Sequence, residues 1–236
     1  MPSTEHAVIE ARNLTRSYGR VKAISELDIT VLPGEKVVLI GPNGSGKTTL
    51  IKLFSTLIKP TAGTLKLFGR DVSSDGAWLR RQMGVLLHEP LLYNRLTARE
   101  NLRFYAKMFQ VPNVDARIAE LAEDLSISHL LDTRGATLSH GQSKRVSLLR
   151  TLLHDPPLLL LDEPDSGMDP EAIEGLLQVI HRNGRTVVMS THNLEHGLGM
   201  AQRIIVLKDG TPVMDFQRDS LDRSELEERY TALVKS

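Results

Sequence analysis

The chain has 236 residues, of which 41% are hydrophobic and 25% are charged, a composition that is ordinary for a globular protein. Its 29 basic and 29 acidic residues give a formal net charge of zero, which argues against a broad electrostatic grip on nucleic acid or anionic lipid. The chain contains no cysteine, so disulfides, thiolate metal sites and thiol catalysis are excluded. No apolar run approaches the roughly 18 residues of a membrane span, and Glu5 and His6 stand where a signal peptide would be apolar. We therefore expect a cytosolic protein.

The hydrophobic pattern predicts strands that alternate with helices along the chain. An antiparallel pair is expected at the N-terminus, followed by short apolar strands and a C-terminal hairpin, at residues 7–9, 29–32, 37–40, 64–68, 158–161, 187–190, 204–207 and 213–214. The pattern of residues 88–150 predicts mostly helix, with Asp115 as a candidate helix N-cap. A charged amphipathic helix is predicted at about residues 220–234. Such alternation indicates an α/β fold with a parallel core sheet, in which the helical segment at about 88–150 is an insertion. We expect residues 1–236 to form one domain.

The segment at residues 41–48, GPNGSGKT, matches the phosphate-binding pattern G-x-x-x-x-G-K-[ST] in full. An apolar strand precedes it and the apolar stripe of a helix follows it, which is the context that a P-loop requires. Glycines let main-chain N–H groups close around an anion, and the helix N-terminus adds the positive end of its dipole. Lys47 is expected to reach the β- and γ-phosphates, and the Thr48 hydroxyl to bind Mg²⁺. The residues predicted to bind the nucleotide here are Gly41, Pro42, Asn43, Gly44, Ser45, Gly46, Lys47, Thr48 and Thr49.

Two carboxylates, Asp162 and Glu163, follow the fully apolar strand at residues 158–161. The end of a strand beside a P-loop is where the metal ligands of a nucleotide site lie in a parallel α/β sheet. Asp162 is therefore expected to hold Mg²⁺, and Glu163 to polarise the attacking water. Taken alone, the segment could be an ordinary turn that ends at Pro164, with both acids in solvent. Its pairing with the P-loop favours the site.

Four further segments resemble the motifs of ATP-binding-cassette (ABC) ATPases. Residues 138–142, LSHGQ, are similar to the LSGGQ signature, and residues 166–169, SGMD, are similar to the D-loop that carries Asp169. Residues 190–192, STH, are similar to the switch-histidine segment, and Tyr18 matches the aromatic residue on which adenine stacks. The resemblance runs from about residue 9 to residue 214 and implies the P-loop ABC ATPase fold, with an antiparallel N-terminal subdomain and a helical signature subdomain.

The resemblance also implies a mechanism. ABC ATPases work as head-to-tail homodimers that form on ATP binding, each ATP lying between the P-loop of one subunit and the signature of the other. The signature residues expected to act in trans are Ser139, His140, Gly141 and Gln142. His192 would contact the γ-phosphate and the water that Glu163 activates, with ATP and Mg²⁺ as the required ligands. The implied partner is an integral membrane permease at the cytoplasmic face of the inner or plasma membrane, and no nucleic acid is expected.

The chain departs from the family pattern at two positions. His88 stands where the family usually has the glutamine that contacts the metal, so it is a further candidate ligand for Mg²⁺ beside Thr48 and Asp162. A neutral imidazole can accept a similar hydrogen bond. His140 replaces the first glycine of the signature. Since Ser139 and Gly141 are intact, its side chain is expected to point away from the phosphate.

The sequence of residues 88–93, 96–106 and 149–164 resembles the haem-exporter ATPases of cytochrome c maturation, which predicts haem export. Another exporter ATPase of the same broad type, for drugs or polysaccharides, is the alternative. A cassette ATPase that acts on DNA or ribosomes is disfavoured by the single cassette, the lack of cysteine and the neutral charge. The signature and Glu163 also disfavour a P-loop kinase or GTPase.

Overall fold

The computed structural model describes residues 7–167 and 170–220, together with single positions 228, 230 and 232. Asp169 and nearly all of the predicted C-terminal helix lie outside the described residues. In the parts of the chain that the structure describes, no helix is both long and apolar enough to span a bilayer.

The described residues form strands and α-helices in the alternating order that the sequence predicts. The strands are β1 (Ile9–Tyr18), β2 (Val21–Val31), β3 (Lys36–Ile40), β4 (Ala62–Leu67), β5 (Arg70–Asp71), β6 (Met83–Leu86), β7 (Leu158–Asp162), β8 (Thr186–Ser190), β9 (Arg203–Lys208) and β10 (Thr211–Gln217). The helices are α1 (Lys47–Phe54), α2 (Gly76–Arg81), α3 (Ala98–Met108), α4 (Val114–Asp124), α5 (His140–Leu152), α6 (Pro170–His181) and α7 (Leu194–Met200).

The core sheet has the strand order β10-β9-β3-β8-β7-β6. All its neighbouring strands are parallel except β10, which forms the expected antiparallel hairpin with β9. Every residue of β3, β7 and β8 is buried, as is usual for parallel strands covered on both faces. Because β8 lies between β3 and β7, the loops that follow these three strands open side by side at one edge of the sheet. The predicted parallel core is confirmed.

A second, antiparallel sheet has the order β2-β1-β4-β5 and confirms the predicted N-terminal subdomain. Helix α1 lies between this sheet and the core sheet. Its apolar residues Leu50, Leu53 and Phe54 are buried in one cluster with Leu14 of β1 and Leu160 of β7. The helix that begins at the P-loop lysine is therefore held by both sheets.

The helical region differs in detail from its prediction. Residues 87–97 form no helix. The fully buried side chain of Asn101 in α3 binds the main chain of this loop instead. Its Oδ1 accepts a hydrogen bond from Tyr93 N at 2.7 Å, and its Nδ2 donates one to Tyr93 O at 3.1 Å. The prediction of Asp115 as an N-cap is wrong. Asn113 precedes α4 in a left-handed conformation, and Asp115 in the first turn pairs with Arg103 at 2.7 Å, since a carboxylate there can reach the neighbouring helix.

Candidate nucleotide-binding and hydrolysis site

The loop between β3 and α1 has a backbone that requires its glycines. Gly41, Gly44 and Gly46 have φ values of +155°, +83° and +105°, where side chains are disfavoured. A Cβ on Gly41 would lie 2.2 Å from Leu207 O, and one on Gly46 would lie 2.5 Å from Ala23 O. The loop encloses a cleft of about 160 Å³ lined by Ala23, residues 43–49 and Glu163. Its shape suits a chain of phosphates, as the sequence predicts.

Lys47 is buried at the start of α1. Its Nζ donates hydrogen bonds to Gly41 O at 2.7 Å and to Pro42 O at 3.0 Å, so the ammonium group is held against the loop. Burial lowers the pKa of Lys47, while the carboxylates of Glu163 and Asp162 oppose that shift. A bound phosphate would offer this cation an anionic partner in place of the two neutral carbonyls.

Asp162, Thr48 and Ser190 meet at the ends of β7, α1 and β8. Thr48 Oγ1 donates to Asp162 Oδ1 at 3.0 Å, and Ser190 Oγ donates to the same oxygen at 2.7 Å. Among the described residues there is no cluster of three or more histidine or acidic side chains that would hold a metal by itself. Mg²⁺ at a nucleotide takes most of its ligands from phosphates and water and needs only one or two protein oxygens. The Thr48 hydroxyl and Asp162 carboxylate therefore fit such an ion.

Glu163 and His192 are brought together at the mouth of the cleft. His192 Nδ1 lies 3.5 Å from Glu163 Oε1, and the Glu163 side chain is 21% exposed. Glu163 has a φ of +49°, a left-handed conformation that is strained for this residue. Its N–H compensates by donating to Ser190 O at 3.1 Å and Ser190 Oγ at 3.0 Å. The loops after β7 and β8 thus hold the two predicted catalytic side chains side by side.

The signature forms the N-terminus of α5. Ser139 is its N-cap, with Ser139 Oγ accepting from Gln142 N at 3.2 Å and Gln142 Oε1 accepting from Ser139 N at 2.9 Å. Gly141 packs so closely on the loop after β7 that a Cβ there would lie 2.7 Å from Gly167 O. Among the residues that the structure describes, none of residues 139–142 lines the P-loop cleft.

Tyr18 and His88 are the remaining predicted site residues that the structure describes. Tyr18 ends β1 with its ring half exposed, and the guanidinium carbon of Arg16 is 4.6 Å from the ring centroid. The His88 ring lies 5.9 Å from the His140 ring, beside the start of α5. Neither Tyr18 nor His88 belongs to the described lining of the P-loop cleft.

Three residues of the site were not assigned a role from the sequence. Ala23 lines the cleft, Ser190 supports both acids, and Lys144 donates from α5 to the main chain of Glu163. Of these three residues, only Ser190 could have been found from a sequence motif, because it belongs to the switch-histidine segment. The other two are brought there by tertiary packing.

Comparison with known proteins agrees with this geometry. Residues 24–166 match the model of the ABC transporter family. The chain is 33% identical to Nod factor export ATP-binding protein I of Burkholderia orbicola, over 93% of this chain and 74% of that protein. It is 32% identical to the bacitracin transport ATP-binding protein BcrA of Bacillus licheniformis, over 92% of this chain and 72% of that protein. It also resembles the dimeric post-hydrolysis structure of the ATP-binding cassette MJ0796 bound to ADP and Pi, with a TM-score of 0.80 at 26% identity, over 89% of this chain and 98% of that one.

The chain therefore belongs to the ABC transporter family and is an ATP-binding subunit. Its enzymatic activity is ATP hydrolysis coupled to transport.

Gly141→Ala is expected to destabilise the protein, because the new Cβ would collide with Gly167 O. Overpacking of this kind costs about 1–3 kcal/mol of unfolding free energy, measured by urea denaturation. Gly199→Ala in α7 is the matched control, since a Cβ there meets no atom within 4 Å and alanine favours a helix. Equal stability of the two variants would contradict the close packing of the signature on the loop after β7.

Proposed function

We propose that this chain is the ATP-hydrolysing subunit of an exporter, which uses MgATP to drive a separate integral membrane subunit. The observation that supports hydrolysis most directly is the Glu163–His192 pair, 3.5 Å apart, at the mouth of the P-loop cleft. The relatives named for Nod factor export and for bacitracin transport support the transporter class.

In the proposed mechanism, the P-loop N–H groups and Lys47 bind the β- and γ-phosphates. Thr48 and Asp162 would hold Mg²⁺, which would supply positive charge to neutralise the phosphate oxygens. Glu163 accepts a proton from the attacking water, and His192 positions the γ-phosphate against that water.

Three residues outside the P-loop cleft complete the proposed mechanism. Tyr18 stacks on adenine, with the Arg16 guanidinium against its other face. His88 is proposed to sense the occupied site from the loop after β6. Asp169 is proposed to act at the interface between two subunits.

The P-loop cleft supplies only one side of the proposed ATP-binding site. Ser139 and Gly141 stand at an exposed helix N-terminus that favours an anion, and no described residue of the signature lines the chain's own cleft. A second copy in head-to-tail orientation would place its signature, including His140 and Gln142, over the γ-phosphate. ATP would thus stabilise the closed dimer, and hydrolysis would weaken it. The dimeric MJ0796 neighbour with ADP and Pi supports this proposal.

The membrane subunit is proposed to dock on an apolar groove of about 230 Å³, lined by Leu57, Leu91, Tyr105 and Phe109 among others. Leu57 and Leu91 are 54% and 50% exposed, and such a concave apolar surface suits an inserted segment of a partner. The bound subunit would place the chain at the cytoplasmic face of the membrane.

Hydrogen bonds connect the groove to the signature helix. Arg150 of α5 donates from Nη1 to Pro90 O and to Leu91 O, both at 3.1 Å, and Ser147 Oγ donates to Pro90 O at 2.5 Å. The loop that carries His88 is therefore hydrogen-bonded to α5 at two consecutive residues, Pro90 and Leu91. We propose that these hydrogen bonds couple the docked membrane subunit to the ATP site.

A more specific part of the proposal concerns the substance that the exporter transports. The two relatives discussed above are ATP-binding proteins named for Nod factor export and for bacitracin transport, and neither name refers to haem. Haem export stays a prediction that rests on residues 88–93, 96–106 and 149–164. It is tested by purifying the chain with its membrane subunit in lipid vesicles: haem-stimulated ATP hydrolysis supports it, and stimulation only by a drug or a polysaccharide precursor supports the alternative. Stimulation by DNA without any membrane subunit would overturn the transporter proposal.

Glu163→Gln is expected to bind ATP but to stall hydrolysis, since the amide cannot accept the proton of water. General-base catalysis contributes about 10²–10⁴-fold to a rate, so phosphate release should fall by that order. The variant should also accumulate as a dimer with ATP in size-exclusion chromatography. Normal phosphate release would remove Glu163 from its catalytic role.

Lys47→Ala is expected to weaken ATP binding itself, because the phosphates lose their charged donor. A hydrogen bond to a charged group contributes about 1.5–3 kcal/mol, which corresponds to roughly a ten- to hundredfold loss of affinity in equilibrium binding. Lys52→Ala on the same helix is the control, since Lys52 does not line the described cleft. An unchanged dissociation constant for Lys47→Ala would contradict the phosphate role.

Leu57→Glu is expected to release the chain from its membrane subunit, because a carboxylate would be buried in the apolar groove. Loss of a central contact of this kind costs about 2 kcal/mol or more, measured as loss of the membrane protein that copurifies with the tagged chain. ATP hydrolysis by the isolated chain should be unchanged. Val213→Glu, at an exposed apolar position on β10, is the control, and equal loss in both variants would argue against the groove.

A further inference from the structure

Lys144 is a completely buried lysine on α5, two residues beyond the signature. Its Nζ donates hydrogen bonds to the main-chain oxygen of Glu163 and, at 3.2 Å, to that of Ser166. The ammonium group therefore holds both ends of the turn at residues 163–166. A buried cation is costly to keep, so its placement against this turn calls for an explanation.

The charge of Lys144 is balanced by acids around the same turn. Burial lowers the pKa of Lys144, and the carboxylates of Asp165, Glu163 and Asp162 oppose that shift. Asp165 is itself buried, with 5% of its surface exposed, and its Oδ1 has no hydrogen-bond partner. The positive charge of Lys144 and the buried carboxylate of Asp165 therefore attract each other across this turn.

Asp165 connects the turn to the segment that carries His192. Its Oδ2 accepts from Thr191 Oγ1 at 2.8 Å and lies 2.9 Å from His196 Nδ1. Thr191 precedes His192 directly, so the turn at 163–166 and the switch-histidine segment share one buried polar network. Lys144 joins that network to α5.

The position of the Glu163 carboxylate depends on this turn. The residue has a φ of +49°, which an L-residue keeps only where its surroundings enforce it. Ser190 holds its N–H from the β8 side, and Lys144 holds its carbonyl from the α5 side. The peptide units on either side of Glu163 are therefore fixed from two different elements.

We propose that Lys144 is a positioning residue for ATP hydrolysis, which fixes the turn at residues 163–166 and so aims the Glu163 carboxylate beside His192. The inference rests on the proposed role of Glu163. Lys144 does not belong to the described lining of the P-loop cleft and acts through the main chain of the turn. The turnover number depends on it, whereas nucleotide affinity, which the P-loop provides, does not.

The first test compares Lys144→Met with Lys36→Met. Lys36 is a matched control, because it is also buried and donates from Nζ to a main-chain oxygen, that of Gly34 at 3.0 Å, far along the chain from the turn. Lys144→Met should lower kcat by about 10- to 100-fold, as expected for a misplaced catalytic group, with an unchanged KM for ATP. Lys36→Met should keep its kcat. Equal kcat values for Lys144→Met and wild type, or a rise in KM that accounts for the loss, would overturn the proposal.

The second test is chemical rescue, which a merely structural role would not show. Because the chain contains no cysteine, Lys144→Cys offers a unique thiol that can be aminoethylated in denaturant before refolding. The resulting ammonium-bearing side chain should restore kcat, whereas the same variant alkylated with iodoacetamide should stay slow. Wild type taken through the same cycle is the refolding control. If Lys144→Met does not fold, Lys144→Gln replaces it with the same expected loss of kcat.

A parallel measurement of Glu163→Gln separates this inference from the function on which it rests. Stalled Glu163→Gln together with full kcat in Lys144→Met overturns only the role of Lys144. Normal turnover in Glu163→Gln overturns the proposed function of the turn itself. Equal kcat values for the aminoethylated and the carbamidomethylated forms of Lys144→Cys would likewise overturn the positioning role.

Discussion

The parallel pairing of β3, β8 and β7 is the constraint on which the rest of the site depends. Because β8 lies between the other two strands, the P-loop, the two acids and the switch histidine leave the sheet at neighbouring positions. This arrangement puts two carboxylates beside a cleft that is shaped for phosphates. Repulsion between these negative groups is unfavourable unless cations and hydrogen-bond donors lie between them. Lys47, Thr48 and Ser190 provide those groups. Every residue of the three strands is buried, so the sheet is packed on both faces beneath this edge.

Backbone strain is concentrated where the chemistry is proposed. Gly41 and Gly46 approach neighbouring carbonyls more closely than any Cβ allows, and Glu163 adopts a left-handed conformation despite its side chain. Such conformations persist only where surrounding contacts over-determine them. Ser190 and Lys144 supply these contacts at Glu163, one from the core sheet and one from the signature helix. The proposed catalytic carboxylate therefore sits where the two parts of the chain meet.

Much of this site could be predicted from sequence, because its motifs are local. The P-loop glycines, Asp162 and Glu163 stand in contiguous segments whose strand and helix contexts are recognisable, and the parallel core followed from their alternation. The helical region was predicted less well. Its loop at residues 87–97 depends on the buried amide of Asn101, which binds main-chain atoms that lie eight residues before it in sequence, at Tyr93. The prediction for Asp115 was wrong because its partner, Arg103, belongs to another helix.

By itself the sequence predicted a phosphate-binding loop at residues 41–48, identified two acids after a buried strand, and placed the chain among the ABC ATPases. Those properties lie in short segments whose chemistry is set by residue type and spacing. Only the tertiary structure decided that Glu163 lies 3.5 Å from His192, that Ser190 supports both acids, and that Lys144 is buried against the turn at residues 163–166. These contacts join residues far apart in the chain. They exist because a packed core brings separate strands and helices within hydrogen-bond distance, which no local pattern encodes.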